Sequence, residues 1–239
     1  MKLKELLNEI DIAHNEFDTS QPYICGGVVR DKFMGNLSKI NDLDITTGDQ
    51  TIKILGQEFY NKFKNKYNIK TEIANDGHRS INFGNLKIDF SSNYIYPNIE
   101  NIVGKKMTLL EQETYSRDFT CNAMISDLNL ANVKDITGKS FNDIKHKIVD
   151  TCLVPEHTFV QKNRAIRSIY LAVKLDFGIH QRVIEYLSRY PIMIQNSSIN
   201  GLKEKLSYCI NKDKDKTMYY LNKTKMISFL PPGLTNETW

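Results

Sequence analysis

The sequence predicts an α+β chain, with strands and helices mixed through residues 1–150 and helices alone through 151–239. Three observations carry this. Apolar residues recur at helical spacing in several segments. Short β-rich runs bounded by turn residues fill positions 69–90. After Pro155 only the helical period continues. At 239 residues the chain is one large domain or two small ones, long enough to bury a core without disulfide or metal staples.

Leu3, Leu6, Leu7 and Ile10 give an amphipathic opening helix. Tyr23–Cys25 reads as a short strand, broken by Gly26-Gly27, and Val28–Met34 restarts as helix closed by Gly35. Leu43–Thr47 is β-rich, and a helix follows with Ile52, Leu55, Phe59 and Phe63 on one side. Ile69–Ala74, Ser80–Phe83 and Leu86–Phe90 read as strands, the last two joined by Gly84-Asn85. The stretch 93–106 is loop-like, Thr108–Tyr115 a polar helix, and Ala123–Asp127 with Val133–Ile136 a hairpin. Beyond Pro155, Ile166, Ile169, Tyr170 and Val173 mark one helix, with Val183–Tyr190 and Leu202–Ile210 as two more. Pro231-Pro232-Gly233 ends the pattern.

Composition narrows the class. With 41% hydrophobic and 25% charged residues the chain is of ordinary globular type. No apolar run is long enough to span a membrane, and the first residues lack an apolar signal core, so no membrane partner or export is expected. Four scattered cysteines without a CxxC pair, and histidines without ligand spacing, argue against a zinc site or disulfide framework. Reduced thiols in the cytoplasm are the simplest expectation. Charge is uneven: residues 1–150 carry a net −2 and residues 151–239 a net +6. An acidic front suits metal-binding carboxylates, and a basic rear suits a polyanion. The basic run Lys212–Lys216 is either part of that contact or a solvated turn.

The chemistry concentrates in a few places. Asp42 and Asp44, in NDLDITT, stand two apart on a β-rich segment, so both carboxylates face one side. Such a pair repels itself and invites a divalent cation with a taste for oxygen, such as Mg²⁺. Gly26-Gly27, between a strand and a helix start, leaves bare N–H groups for a triphosphate, or is an ordinary tight turn. Arg30 meets either a phosphate or a structural carboxylate. Asp89 shares strand parity with Lys87 and Ser91, and completes a triad with Asp42 and Asp44 if the two strands are neighbours. Otherwise it is a solvent-facing aspartate. Arg117 is suited to a triphosphate or sugar, and Asp118 to locking an arginine or capping the Thr120 region, or each is an ordinary structural charge. Arg164 and Arg167, three apart, share a helix face suited to phosphate or base edges.

Taken in order, GGVVRD, NDLDITT, RDFTCNAM, DITG with NDI, and RAIR resemble one family. The chain is similar to the head and neck of class II tRNA nucleotidyltransferases, the CCA-adding enzymes, and of the bacterial-type poly(A) polymerases. Their patterns are GGxVRD, DxDIAT, RRDFTINAM, DPFGGxxDL and EDxxR. The likeness covers about residues 21–177. It implies a nucleotidyltransferase (polymerase beta-like) head with a mixed sheet over 1–150, and a helical, RNA-binding neck and body over 151–239. It implies transfer from CTP or ATP to a tRNA 3′ end, adding CCA or part of it, with two Mg²⁺ ions. The alternatives are a poly(A) polymerase, an enzyme acting on another RNA end, and a non-catalytic RNA-binding remnant. No obligate protein partner is implied. Position by position, Gly26 and Gly27 match the nucleotide-phosphate loop. Asp42 and Asp44 match the catalytic metal ligands, with Asp89 the candidate third. Arg117, Asp118 and Asn122 match positions supporting the nucleotide, Arg164 the base-reading arginine, and Arg167 a later helix arginine. Ser116 stands where the family has its first arginine, and Val160 and Gln161 stand where it has Glu and Asp. Gln161, three before Arg164, is expected on the same helix face and to share in base choice.

Overall fold

The computed structural model describes residues 3–37, 40–67, 69–92, 95–232 and 234. By packing, the chain divides into two units, Met1–Arg117 with Asn122–Ser140, and Asp118–Cys121 with Phe141–Trp239. The changeover thus lies at 140 rather than 150.

In the first unit the elements run α1 (Leu3–Glu16), β1 (Tyr23–Cys25), α2 (Gly27–Phe33), β2 (Asp42–Thr46), α3 (Thr51–Phe63), β3 (Lys70–Ile73), β4 (Arg79–Phe83), β5 (Leu86–Phe90), α4 (Ile99–Val103), α5 (Leu109–Tyr115), β6 (Met124–Ser126) and β7 (Val133–Asp135). The seven strands form one sheet in the order β3-β4-β5-β2-β1-β6-β7. β2 and β5 pair in parallel, and every other neighbour is antiparallel, so the sheet is mixed. Part of the expected loop at 93–106 is instead α4, which ends at Gly104 in a left-handed conformation. Asn93 and Tyr94 lie outside the described residues. The polar helix α5 starts on a capping box. Thr108 accepts from the Glu111 backbone while Glu111 reaches back to the Thr108 N–H.

Alternation decides which face of the sheet is core. Leu43 and Ile45 of β2, with Ile88 and Phe90 of β5, are fully buried, as are Ile52, Leu55 and Phe59 of α3. The Phe59 ring lies 4.9 Å from Phe63, 5.3 Å from Phe90 and 5.9 Å from Phe83. Gly56 lets α3 come this close, since a Cβ there would stand 2.9 Å from the Phe90 Cβ. With the odd positions of β2 committed to this core, Asp42 and Asp44 are left for the opposite face.

The second unit holds most of α6 (Ser140–Lys145), then β8 (Ile148–Val149), α7 (Pro155–Thr158), α8 (Arg164–Leu175), β9 (Gly178–Ile179), α9 (Gln181–Arg189) and α10 (Ile199–Lys223). It is helical with one exception to the expectation. β8 and β9 pair in parallel, which draws residues 148–149 into this unit. Asp118–Cys121 join it through Thr120, whose hydroxyl donates to Asp143 at 2.7 Å and whose N–H donates to the Asp150 carbonyl at 2.9 Å. The Lys212–Lys216 run is not a turn. It lies within α10, at a kink where Asp213 leaves helical geometry and its carboxylate caps the Lys216 N–H at 2.9 Å. Lys216 itself pairs with Asp176 at 2.7 Å. No helix among the described residues is long and apolar enough to cross a membrane.

Phe59→Ala is expected to cost about 3–5 kcal/mol in urea unfolding, because three other rings lose their partner. A cost below about 1 kcal/mol would place the centre of this core elsewhere.

Candidate active site

The acidic face is built by strand pairing. β2 and β5 run side by side with Asp42 opposite Lys87 and Asp44 opposite Asp89. One carboxylate oxygen from each of Asp42, Asp44 and Asp89 lies within 4.8 Å of the other two. The three donors are all carboxylate oxygens, the hard set that Mg²⁺ takes. Asp89 accepts from Lys87 Nζ at 2.7 Å and from the Ser80 hydroxyl. Burial works against the Lys87 charge, but Asp89, Asp42 and Asp44 outweigh it and raise the pKa above the usual lysine value.

Gly26 has φ +74°, a conformation that side chains other than glycine rarely take. A Cβ there would stand 2.6 Å from Asp44 Oδ2. The glycine therefore lets the carboxylate sit directly against the backbone that opens α2. That helix has only seven residues, so the loop offers close approach more than a helix dipole.

Arg30, 3% exposed, donates to Asn122 Oδ1 at 2.6 Å and to Asp31 at 2.9 Å. Its structural reading is the one the geometry supports. Arg30 and Asn122 tie α2 to the turn before β6. Arg117 is also buried. Its Nη2 donates to Glu113 Oε1 at 3.0 Å and to Cys25 Sγ at 2.9 Å. Burial opposes the arginine charge, yet its charged neighbours, among them the carboxylates of Glu113 and Asp44, more than offset it, and the pKa is raised. Burial also pushes the Cys25 thiol up to about 12, so at neutral pH it is an uncharged acceptor. Glu113, fully buried, accepts from the Thr46 hydroxyl as well. It links β2 to Arg117, and the sequence reading missed it. The available signal was its i,i+4 spacing to Arg117.

A second charged cluster lies within the second unit. Asp118 pairs with Arg167 and accepts from the Phe119 N–H at 2.8 Å. Burial pushes its pKa up, but Arg167 and Arg164 pull harder, and the carboxyl is held below its usual value. The sign is that of a depressed acid: the stabilisation is present above about pH 4 and lost as pH falls through the folded value. Asp118 thus locks an arginine. Burial lowers the Arg164 pKa, with Asp118 acting against that shift. Gln161 is not on this helix. Asn163 takes a left-handed conformation (φ +66°), α8 begins only at Arg164, and the shared helix face with Gln161 does not exist.

Residues 22–150, more than half of the chain, match the family model of the poly A polymerase head domain. The chain belongs to this family. Over 77 residues it is 40% identical to tRNA nucleotidyltransferase cca1 of Schizosaccharomyces pombe, covering 32% of this chain and 15% of that protein. Over 202 residues it is 28% identical to the mitochondrial CCA tRNA nucleotidyltransferase of Saccharomyces cerevisiae, covering 75% and 36%. It therefore spans well under half the length of the curated relatives it matches. The fold is that of a solved CCA-adding enzyme in complex with ATP, with TM-score 0.72, 20% identity, and 96% and 53% of the two chains covered. A poly A polymerase head with its acidic face on β2 and β5 is the frame for the residues above.

Gly26→Ala is expected to cost about 1–3 kcal/mol of stability from the backbone conformation alone, with more from the contact with Asp44. Combined with Asp44→Gly, part of that cost should return in thermal melts. If Asp44→Gly returns none of it, the carboxylate does not press on Gly26.

Proposed function

We propose that this protein is a template-independent RNA nucleotidyltransferase that moves CMP and AMP from CTP and ATP onto a tRNA 3′ end. The observation that carries the reading is the convergence of Asp42, Asp44 and Asp89 within 4.8 Å, in a chain of the poly A polymerase head family. In the reaction the 3′ oxygen forms a bond to the α-phosphorus and the bond to pyrophosphate breaks.

Asp42 and Asp44 would hold two Mg²⁺ ions, with Asp89 as the third carboxylate. Bound there, Mg²⁺ supplies positive charge that acidifies the 3′ hydroxyl and offsets the triphosphate. The chain's own groups do the rest. Gly26 and Gly27 leave backbone N–H groups open to the phosphates. Buried Arg117 holds its charge beside Asp44, adding to the field that favours an anionic substrate. Arg164 stays the candidate for reading the base, with Arg167 and Asp118 fixing its surroundings. In the absence of a helical Gln161 partner, base choice rests on other groups. The basic residues of 151–239 suit the RNA backbone. All four cysteines are buried and none is in a disulfide, in keeping with the cytoplasm.

The test is incorporation of each labelled NTP, with Mg²⁺, into tRNA lacking its 3′ end, followed by product sequencing. C and A addition with pyrophosphate release is expected. Runs of A would favour a poly(A) polymerase, and no incorporation by any NTP would leave an RNA-binding remnant. Asp42→Ala or Asp44→Ala should each reduce incorporation by orders of magnitude without unfolding the protein. Near-normal turnover in either would remove these residues from the catalytic role.

A further inference from the structure

One cation already stands on the acidic face, and the function above gives it no part. Lys87 lies opposite Asp42 across the parallel β2–β5 pair, and its Nζ is 2.7 Å from Asp89 Oδ2. The other oxygen, Asp89 Oδ1, accepts from the hydroxyl of Ser80, directly opposite Asp89 on β4. Both oxygens of Asp89 are thus engaged by donors. A divalent cation drawing on Asp89 meets the Lys87 ammonium on the same carboxylate, and the two positive charges repel. Ser80 is short and fixed by its strand. Lys87 is long, and its side chain is 42% exposed against 21% for Asp89, so its ammonium can swing to solvent.

We propose that Lys87 is a tethered counter-ion, bound to Asp89 until a divalent cation replaces it, and so a residue that sets the cation affinity of this site. The inference rests on the metal reading of Asp42, Asp44 and Asp89. Three carboxylates within 4.8 Å repel one another. Lys87 relieves that repulsion in the cation-free protein and opposes the incoming cation by the same charge. An ordinary surface ion pair does neither, since such a pair contributes little. Once displaced, the ammonium stays on β5 beside the acidic face, where it faces the anionic substrate.

The experiment is a Mn²⁺ titration followed by the free-Mn²⁺ EPR signal, on wild type, Lys87→Met, Lys87→Arg and Asp42→Asn. Lys87→Met should bind Mn²⁺ about tenfold more tightly than wild type, because competitor and like charge are both gone. Lys87→Arg, which keeps the charge, should stay close to wild type. Thermal melts should show a larger Mg²⁺-induced rise for Lys87→Met than for wild type, starting from a lower cation-free melting temperature. If Lys87→Met does not fold, Lys87→Gln carries the same expectation. Unchanged or weaker Mn²⁺ affinity in the neutral variant, with Asp42→Asn still abolishing binding, overturns the role of Lys87. Undiminished Mn²⁺ binding in Asp42→Asn overturns the metal reading itself.

Discussion

Like charges held a few ångströms apart repel, and in the first unit the backbone imposes that arrangement. Parallel pairing of β2 with β5 sets Asp44 opposite Asp89 and leaves Asp42 one step along the same face. The strands cannot slip to relieve it. A one-residue shift of either strand would turn its own pair, Leu43 and Ile45 or Ile88 and Phe90, out of the core, forfeiting packing against α3. Burial of apolar groups on one face of the sheet therefore holds the carboxylates together on the other.

The surroundings of the acidic face follow from the need to offset that charge. Arg117 is buried beside Asp44, and burial alone would disfavour its charge, so Glu113 is buried with it. Glu113 in turn is anchored to β2 through Thr46. On the other side Lys87 and Ser80 engage Asp89. Gly26 completes the arrangement by letting the Asp44 carboxylate lie against bare backbone. Arg117, Lys87 and Ser80 stabilise the carboxylates only while they converge, so the site and the sheet centre are interdependent.

Most of the first unit was legible because its signals are local. The alternation in β2 and β5, the turn at Gly84-Asn85 and the period of α3 lie within a few residues. The motifs single out Asp42, Asp44 and Arg117, and the strand parity of Asp89 was readable too, although its neighbour was not. What escaped depends on distant partners. Glu113 looks like a surface acid until Thr46 folds against it, and nothing near Arg30 in sequence announces Asn122 as its partner. In the second unit the error at Gln161 has a backbone cause. Asparagine tolerates the left-handed conformation, and Asn163 uses it to delay the start of α8. β9 escaped because two residues carry no periodicity.

We infer that β2–β5 pairing makes a divalent-cation site out of Asp42, Asp44 and Asp89. Its most direct test is the anomalous scattering of Mn²⁺ in crystals of the protein grown with a non-hydrolysable CTP analogue. Anomalous density bounded by the Asp42 and Asp44 carboxylates is the predicted result. Density confined to other carboxylates, such as Asp49 or Asp76, with none on β2, would contradict the account.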